Sequence, residues 1–274
     1  VEKLKVQVQK LFGGIDVEVV NNADWLEKLG LIEFLRDVGK YFTVNNLIKK
    51  DAISTRMESE EGISFTEFSY SLLQAYDFWH LYTEYKCDVQ IGGSDQWGNI
   101  VAGVDLIRRK ENKTVYALTI PIITDKATGK KFGKSEGNAV WLDPGMTSPY
   151  AFYQFWLNTS DDSVADYLKL FTLLSSMEID AAMELHRRDA KERHAQKILA
   201  RELTTLVHGS DESAKAELVT RVLFGEESLS ALDNDAIATL RASAPMHEVQ
   251  ADSLLLDALV GARLASSKTE ARRF

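Results

Sequence analysis

The sequence has little cysteine, no long apolar run and a deficit of positive charge, and each shortage argues against a class of protein. Its 274 residues contain one cysteine, Cys87, so an intramolecular disulfide is impossible and a reducing compartment is favoured. No apolar run approaches the roughly 18 residues that a membrane-spanning helix needs. The net charge of −9 argues against non-specific coating of nucleic acid, although it allows a local basic surface.

The remaining composition, 45% hydrophobic and 27% charged, is typical of a soluble globular protein of one to three domains. No signal peptide is visible, so we expect a cytoplasmic protein. The chain starts at Val1 and ends at Phe274 within a basic helical pattern. We therefore expect it to be a segment of a longer protein.

The most informative stretch is Lys126–Gly137, which reads KATGKKFGKSEG. Its lysines are compact, strongly hydrated charges, and its glycines let the backbone approach a ligand closely. Such a segment suits a polyphosphate that must be held and then released. The alternative is an ordinary solvated loop. The segment follows Thr114–Thr124, a β-rich apolar run that predicts a buried parallel strand, and this position favours ligand binding.

A strand, a glycine turn and a helix start are predicted upstream, in CDVQIGGSDQWGNI. The alternation up to Ile91 indicates a short strand, Gly92 and Gly93 end it, and Asn99–Arg109 is helical. In open α/β sheets, ligands bind at the carboxyl ends of strands. The glycines would let the backbone approach a sugar or phosphate, and Asp95 could accept hydrogen bonds from ribose hydroxyls. Taken alone, such a turn is weak evidence of a ligand site, because tight packing explains most turns of this kind.

A long helix is predicted from Ser64, because Ser64 and Glu67 form a capping-box pattern before a mostly apolar stretch that we expect to be buried. Tyr70, Gln74 and Asp77 nevertheless share one face, at i, i+4 and i+7. This stripe is either the solvent face of the helix or the polar wall of a pocket. In a pocket, Tyr70 and Gln74 could bind an amino group, and Asp77 could accept a hydrogen bond from a hydroxyl.

Helical patterns surround this region. Residues 1–12, Trp25–Val38 and 43–57 carry apolar residues at mainly helical spacing, and Asn21–Asp24 is a capping or turn cluster. Residues 149–222 are helical in pattern almost throughout. The sequence therefore predicts an α/β region followed by an all-α domain.

Three segments at these spacings, FSYSLLQAYD, QIGGSDQWGNI and KFGKS, closely resemble the bacterial tyrosyl-tRNA synthetases, and the resemblance covers essentially the whole chain. KFGKS at Lys131–Ser135 is similar to the KMSKS signature of class I aminoacyl-tRNA synthetases, with Phe132 and Gly133 replacing Met and Ser. The resemblance implies the second half of a Rossmann-like catalytic domain with a parallel sheet, followed by an all-α domain. It also implies activation of L-tyrosine by ATP, with Mg²⁺, and transfer of tyrosine to tRNA(Tyr).

The resemblance implies a role for each matched position. Tyr70 and Gln74 would hold the ammonium group of tyrosine, Asp77 would bind its phenolic hydroxyl, and Gln90 would line the same pocket. On the nucleotide side the implied residues are Gly92, Gly93, Asp95, Gln96, Lys131, Lys134 and Ser135. Lys131 and Lys134 would grip the ATP phosphates and act in catalysis, and no residue is expected to be a dedicated metal ligand.

The resemblance also implies an order of domains and a set of partners. The expected segments are a helical insertion that forms the dimer interface (1–65), the second half of the catalytic domain (66–148), an α-helical anticodon-side domain (149–222), a linker (223–250) and the start of a C-terminal RNA-binding module (251–274). The expected partners are L-tyrosine, ATP, tRNA(Tyr) and a second copy of the chain, with no membrane. The family's His-x-Gly-His signature is absent from the sequence. This segment by itself is therefore expected to be inactive or impaired.

Two alternatives stay open at this point. A tryptophanyl-tRNA synthetase shares the lysine segment and a related Gly-x-Asp-Gln turn, but Tyr70, Gln74 and Asp77 together favour tyrosine. A non-catalytic RNA-binding protein could keep a synthetase scaffold, but it would be expected to carry a degenerate lysine segment, and this one is intact.

We expect Lys134→Ala, in the natural protein that carries this chain, to raise the barrier to tyrosine activation by about 2–4 kcal/mol, because the lost charge acts mainly in the transition state. The rate of tyrosyl-adenylate formation measures the effect. Lys126→Ala is the control, since Lys126 is expected to be an ordinary solvated charge. An adenylation rate of Lys134→Ala within about threefold of wild type would exclude the role.

Overall fold

The structure, a computed structural model, describes residues 2–13, 15–49, 51–58, 62–124, 140–244 and 247–273. Up to residue 124 the elements are α1 (Glu2–Leu11), α2 (Ala23–Leu26), α3 (Leu31–Asp37), α4 (Val44–Leu47), α5 (Asp51–Met57), α6 (Phe65–Tyr85), β1 (Val89–Gly93), α7 (Trp97–Glu111) and β2 (Tyr116–Ile120). From residue 140 onward they are α8 (Pro149–Leu157), α9 (Asp161–Phe171), α10 (Ser176–Arg188), α11 (His194–His208), α12 (Ser210–Leu223), α13 (Asn234–Ser243), α14 (Leu255–Gly261) and α15 (Lys268–Ala271).

These elements form two compact units. Residues 18–124 make up the sheet unit, and residues 2–17 with the described residues from 140 onward make up the helical unit. Within the described ranges, no helix is both long enough and apolar enough to cross a membrane. The fold class predicted from the sequence, an α/β region followed by helices, is confirmed.

Helix α6 begins where the capping box predicts. The Ser64 hydroxyl accepts a hydrogen bond from the Glu67 amide at 3.2 Å, and the Glu67 carboxylate accepts one from the Ser64 amide at 3.1 Å. These bonds satisfy amide groups that the first helical turn leaves free. The hydrogen bonds that the Ser64 amide and hydroxyl donate to the Glu67 carboxylate hold the pKa of Glu67 below its usual value. The helix ends at Lys86, which adopts a left-handed conformation.

Helix α6 is held against α7 by an unusually close contact. Phe78 of α6 is 1% exposed, and a Cβ atom added to Gly103 of α7 would lie 2.8 Å from its ring. Glycine therefore allows the two helices to approach. Ile100, Ile107 and Val115 complete this part of the core. The remainder of α6 is less buried than its apolar composition predicts, and Phe65 is 77% exposed.

The two strands pair in parallel, in the register Val89↔Tyr116 to Gly93↔Ile120. The parallel pairing of the predicted strands is confirmed, but the predicted burial of β2 is wrong. Ala117 packs with the Phe78 core, whereas alternate side chains on the strands stay exposed. The exposed residues are Val89, Ile91, Tyr116, Leu118 and Ile120. A strand that is apolar on both faces is buried only if other elements cover both faces of its sheet. Among the described residues, one face of this sheet is not covered.

The helices before α6 are shorter than the apolar spacing predicts. The pattern from Trp25 to Val38 is divided at Gly30, whose extended backbone starts α3 after the four-residue helix α2. Residues 43–57 contain two short helices, α4 and α5. The helix predicted over residues 1–12 is present as α1 and belongs to the helical unit. The domain boundaries predicted from the resemblance stay predictions.

The helical unit packs α8, α11 and α12 around buried side chains such as Tyr153, Leu199 and Val219. A polar contact that includes the buried Gln196 and His186 joins three of its helices. The side chain of Gln196 on α11 donates to the Asp161 carboxylate of α9 at 2.6 Å, and His186 of α10 lies 3.2 Å from the same oxygen. Because Gln196 is fully buried, removing one partner of this contact would leave polar groups unpaired.

We expect Gly103→Ala to lower the free energy of unfolding by about 1 kcal/mol. Helix propensity alone would favour alanine by about 1 kcal/mol, but overpacking against Phe78 costs about 1–3 kcal/mol. Urea-induced unfolding measures the difference. Gly30→Ala is the control, because its added Cβ would meet no atom closer than 3.9 Å. A Gly103→Ala protein more stable than wild type would contradict the proposed close packing.

Candidate active site

Asp77 is the best-defined group of the predicted site. Its Oδ1 atom accepts a hydrogen bond from the indole nitrogen of Trp25 at 2.7 Å, and its Oδ2 atom accepts one from the side-chain amide of Asn22 at 3.0 Å. Each oxygen keeps further lone-pair capacity, because a carboxylate has about four acceptor sites. Asp77 is therefore held in one orientation while it can still accept a hydrogen bond from a ligand.

Asn22 and Trp25 are functional candidates that the sequence analysis missed. The sequence pattern indicates only a capping or turn cluster at Asn21–Asp24. Asn22 is indeed the N-cap residue of α2, but its side chain makes no capping bond, whereas the Asn21 side chain accepts a hydrogen bond from the Ala23 amide at 3.2 Å. The sequence does indicate that a half-buried carboxylate at position 77 needs hydrogen-bond donors. It does not indicate which residues donate, because they lie more than fifty positions away.

The other two members of the polar stripe have different surroundings. Tyr70, one helical turn before Gln74, is 54% exposed, whereas Gln74 is half-buried. Their neighbour Tyr76 is partly buried, which raises its pKa, and the negative charges of Glu33 and Asp77 raise it further. The stripe is therefore not a uniform solvent face, since Asp77 is held by two hydrogen-bond donors whereas Tyr70 is exposed.

The end of β1 has the tight geometry that its glycines predict. A Cβ atom added to Gly92 would lie 3.0 Å from Ile100, and one added to Gly93 would lie 2.7 Å from the carboxylate of Asp95. Glycine at position 93 thus lets the Asp95 carboxylate fold back over the end of the strand. The Gln96 side chain accepts a hydrogen bond from Asn99 at 3.2 Å, which anchors it to the first turn of α7.

Gln90 lies within β1, and its side-chain oxygen is buried without a hydrogen-bond partner among the described residues. An unpaired buried amide oxygen costs free energy. A donor from a bound ligand would satisfy it, which fits the predicted position of Gln90 in the wall of a pocket.

A cavity of about 910 Å³ borders part of this site. Its walls include Tyr70 and Asp95 as well as the ion pair between Arg56 and Glu67, whose atoms are 3.1 Å apart. This volume is in the range of small-ligand sites. The structure thus brings Tyr70 and Asp95 to one cavity. The predicted site residues that do not line it are Gln74, Asp77, Gln90, Gly92, Gly93 and Gln96.

The predicted phosphate-binding residues, Lys131, Lys134 and Ser135, lie outside the described residues. Within the described ranges, no three side chains of His, Cys, Asp or Glu converge as a metal site. The described residues therefore include the predicted binding residues for the amino acid and the ribose, but not those for the phosphates.

Comparison with known proteins identifies the family. Residues 1–225 match the family of class I tRNA synthetases for tryptophan and tyrosine. The chain is 53% identical to a tyrosine–tRNA ligase of Anaeromyxobacter dehalogenans, with 93% of the chain and 61% of that protein covered. It is 48% identical to one of Roseiflexus castenholzii, with 100% and 66% covered. The chain thus spans less than two thirds of the length of these curated relatives.

Solved structures give the same result. The fold matches that of a C-terminally truncated mitochondrial tyrosyl-tRNA synthetase of Aspergillus nidulans with a TM-score of 0.66 and 34% identity, covering 81% of the chain and 65% of that protein. The corresponding enzyme of Coccidioides posadasii matches with a TM-score of 0.63 and 33% identity, covering 78% and 63%. The chain therefore belongs to the family of class I tRNA synthetases for tryptophan and tyrosine, within its tyrosyl-tRNA synthetase branch.

Proposed function

We propose that the natural protein carrying this chain is a tyrosine–tRNA ligase. It joins L-tyrosine to the α-phosphate of ATP, with release of pyrophosphate, and then transfers tyrosine from the adenylate to the 3′ end of tRNA(Tyr). The tyrosine carboxylate is itself the nucleophile of the first step, so no nucleophilic side chain is needed. The protein's contribution is positioning and charge stabilisation. The lone cysteine supports the cytoplasm as its location.

The observation that carries the proposal is the fixed carboxylate of Asp77. A phenolic hydroxyl can donate a hydrogen bond to it, whereas the ring of phenylalanine would leave this half-buried charge without its ligand partner. A tryptophan side chain has its own N–H donor, but on a larger ring and in a different direction. Asp77 therefore favours tyrosine over both of the other aromatic amino acids.

The remaining site residues are proposed for the substrates' other groups. Tyr70 and Gln74 bind the ammonium group of tyrosine, and Gln90 donates or accepts hydrogen bonds in the same pocket. Gln96 lies near the tyrosyl carboxylate, while Gly92, Gly93 and Asp95 receive the ribose. Lys131, Lys134 and Ser135 bind the ATP phosphates. Mg²⁺ would enter with the nucleotide and share the charge of the leaving pyrophosphate.

The RNA substrate is assigned to other segments. Residues 149–222 are the proposed anticodon-side domain, joined through a linker at 223–250 to the start of an RNA-binding module at 251–274. Transfer to tRNA requires that tRNA(Tyr) reach the adenylate, and these segments would orient it.

We also propose that the protein is a homodimer that uses the insertion segment. Within the sheet unit, α3 exposes Leu31 (71%) and Ile32 (81%), and Phe65 at the start of α6 is 77% exposed. Large exposed apolar side chains on both elements favour a protein interface. The resemblance of residues 1–65 to the family's dimer segment supports the same conclusion.

We expect Asp77→Asn to lower kcat/KM for tyrosine by about 30- to 150-fold, that is by about 2–3 kcal/mol. An amide has one acceptor oxygen, so its NH₂ group must face one of the two donors that now point at Asp77. Tyrosine-dependent ATP–pyrophosphate exchange by the natural protein measures the loss, with KM for ATP nearly unchanged. Asp24→Asn on α2 is the matched control. If Asp77→Asn activates tyrosine as well as wild type does, the proposed hydroxyl contact is absent.

We expect Ile32→Asp to shift the natural protein from dimer to monomer at micromolar concentration, because a charge buried in an apolar interface is costly. Light scattering after size-exclusion chromatography measures the mass. Leu173→Asp, at a position 92% exposed in the helical unit, is the control that should stay dimeric. An unchanged mass for Ile32→Asp would show that α3 is not in the interface.

A further inference from the structure

His80 lies on α6 one turn after Asp77, and its ring stacks on the indole of Trp25. The ring centroids are 4.3 Å apart and the planes differ by 24°. Both side chains are half-buried. This is the same indole whose N–H group donates to Asp77 at 2.7 Å. One face of the Trp25 ring is therefore in contact with His80 while its edge is bonded to Asp77.

The imidazole of His80 is itself held by aromatic neighbours. Tyr76 lies 6.4 Å away in a nearly parallel orientation, at 23°, and Tyr85 lies 6.2 Å away, tilted by 56°. All three residues belong to α6, whose backbone is fixed by the close contact of Phe78 with Gly103. His80 is therefore a fixed platform rather than a freely rotating side chain.

Trp25 lacks such support from its own helix. Helix α2 is four residues long and contributes no buried residue to the core. An indole can rotate about two side-chain bonds, so a short surface helix leaves its N–H direction poorly fixed. Stacking removes this freedom, because it fixes the plane of the ring, and the N–H bond lies in that plane.

We propose that His80 is a positioning residue for tyrosine selection: its ring holds the Trp25 indole in the plane from which the indole N–H fixes the carboxylate of Asp77. The proposal rests on the proposed function, since it assigns to His80 a role in recognising the phenolic hydroxyl. With a correctly aimed Asp77, tyrosine gains a well-aligned hydrogen bond, and phenylalanine leaves the carboxylate unpaired. With a loosely held Asp77, tyrosine loses alignment and the carboxylate can turn toward water when phenylalanine binds.

Discrimination between tyrosine and phenylalanine separates this role from simple packing. A folding defect lowers the amount of active protein, which reduces kcat/KM for both amino acids by the same factor and leaves their ratio unchanged. A positioning defect changes the ratio. It should also appear in KM for tyrosine more than in KM for ATP, because Asp77 contacts only the amino acid.

The test compares His80→Ala, His80→Phe and the control His194→Ala in the natural protein. ATP–pyrophosphate exchange gives kcat/KM for tyrosine and phenylalanine. We expect His80→Ala to reduce the ratio of kcat/KM for tyrosine to kcat/KM for phenylalanine about tenfold. This is less than the full loss of a charge-assisted hydrogen bond would cause, because Asp77 itself is still present. His80→Phe keeps a ring that can stack on the indole, so it should restore the ratio to within about threefold of wild type. His194→Ala, in the helical unit, should leave the ratio unchanged.

A second measurement does not depend on activity. The indole N–H signal of Trp25, assigned by its loss in Trp25→Phe, should exchange with solvent faster in His80→Ala than in wild type and more slowly again in His80→Phe. An unchanged ratio and an unchanged exchange rate in His80→Ala would overturn the proposal, as would a failure of His80→Phe to restore either quantity. A wild-type protein without tyrosine-dependent exchange would instead refute the proposed function, before any variant is compared.

Discussion

The contact between Phe78 and Gly103 is the constraint on which the rest of the candidate site depends. A Cβ atom at position 103 would lie 2.8 Å from the Phe78 ring, so any residue other than glycine would force the ring or the helices to shift. Successive residues on a helix point about 100° apart, so seating Phe78 in the core also determines the direction of Asp77. The Gly92–Gly93 turn leads through a short 3₁₀ turn, Ser94–Gln96, into helix α7. One helix crossing therefore positions both the proposed hydroxyl-binding carboxylate and the strand end that carries Asp95.

The same constraint explains how a short, poorly buried helix can contribute to the specificity proposed above. Helix α2 has no core residue of its own, yet Trp25 is bonded to Asp77 and stacked on His80, both of which belong to the rigid helix α6. The order of α2 is thus supplied by its neighbour. Asn22 adds a second bond to the carboxylate, which lowers the cost of keeping a half-buried charge.

Features of the fold that depend on local sequence patterns were predictable. The capping box at Ser64 and the glycine turn after Ile91 each follow from residues close together in the chain. The parallel pairing of the two strands was expected from the apolar pattern of β2 and from the family resemblance. The exposure of β2 could not be predicted from its sequence, because the burial of a strand depends on what covers the second face of the sheet. The bonds of Asn22 and Trp25 to Asp77 could not be predicted either, since nothing local specifies a partner more than fifty residues away.

We propose that the fixed carboxylate of Asp77 makes the natural protein select tyrosine. The most direct measurement is ATP–pyrophosphate exchange by the natural protein with tyrosine, phenylalanine and tryptophan in separate reactions. We expect exchange with tyrosine and near-background exchange with phenylalanine and tryptophan. Comparable exchange with phenylalanine would contradict the role of Asp77, and exchange with tryptophan in place of tyrosine would contradict the assigned substrate.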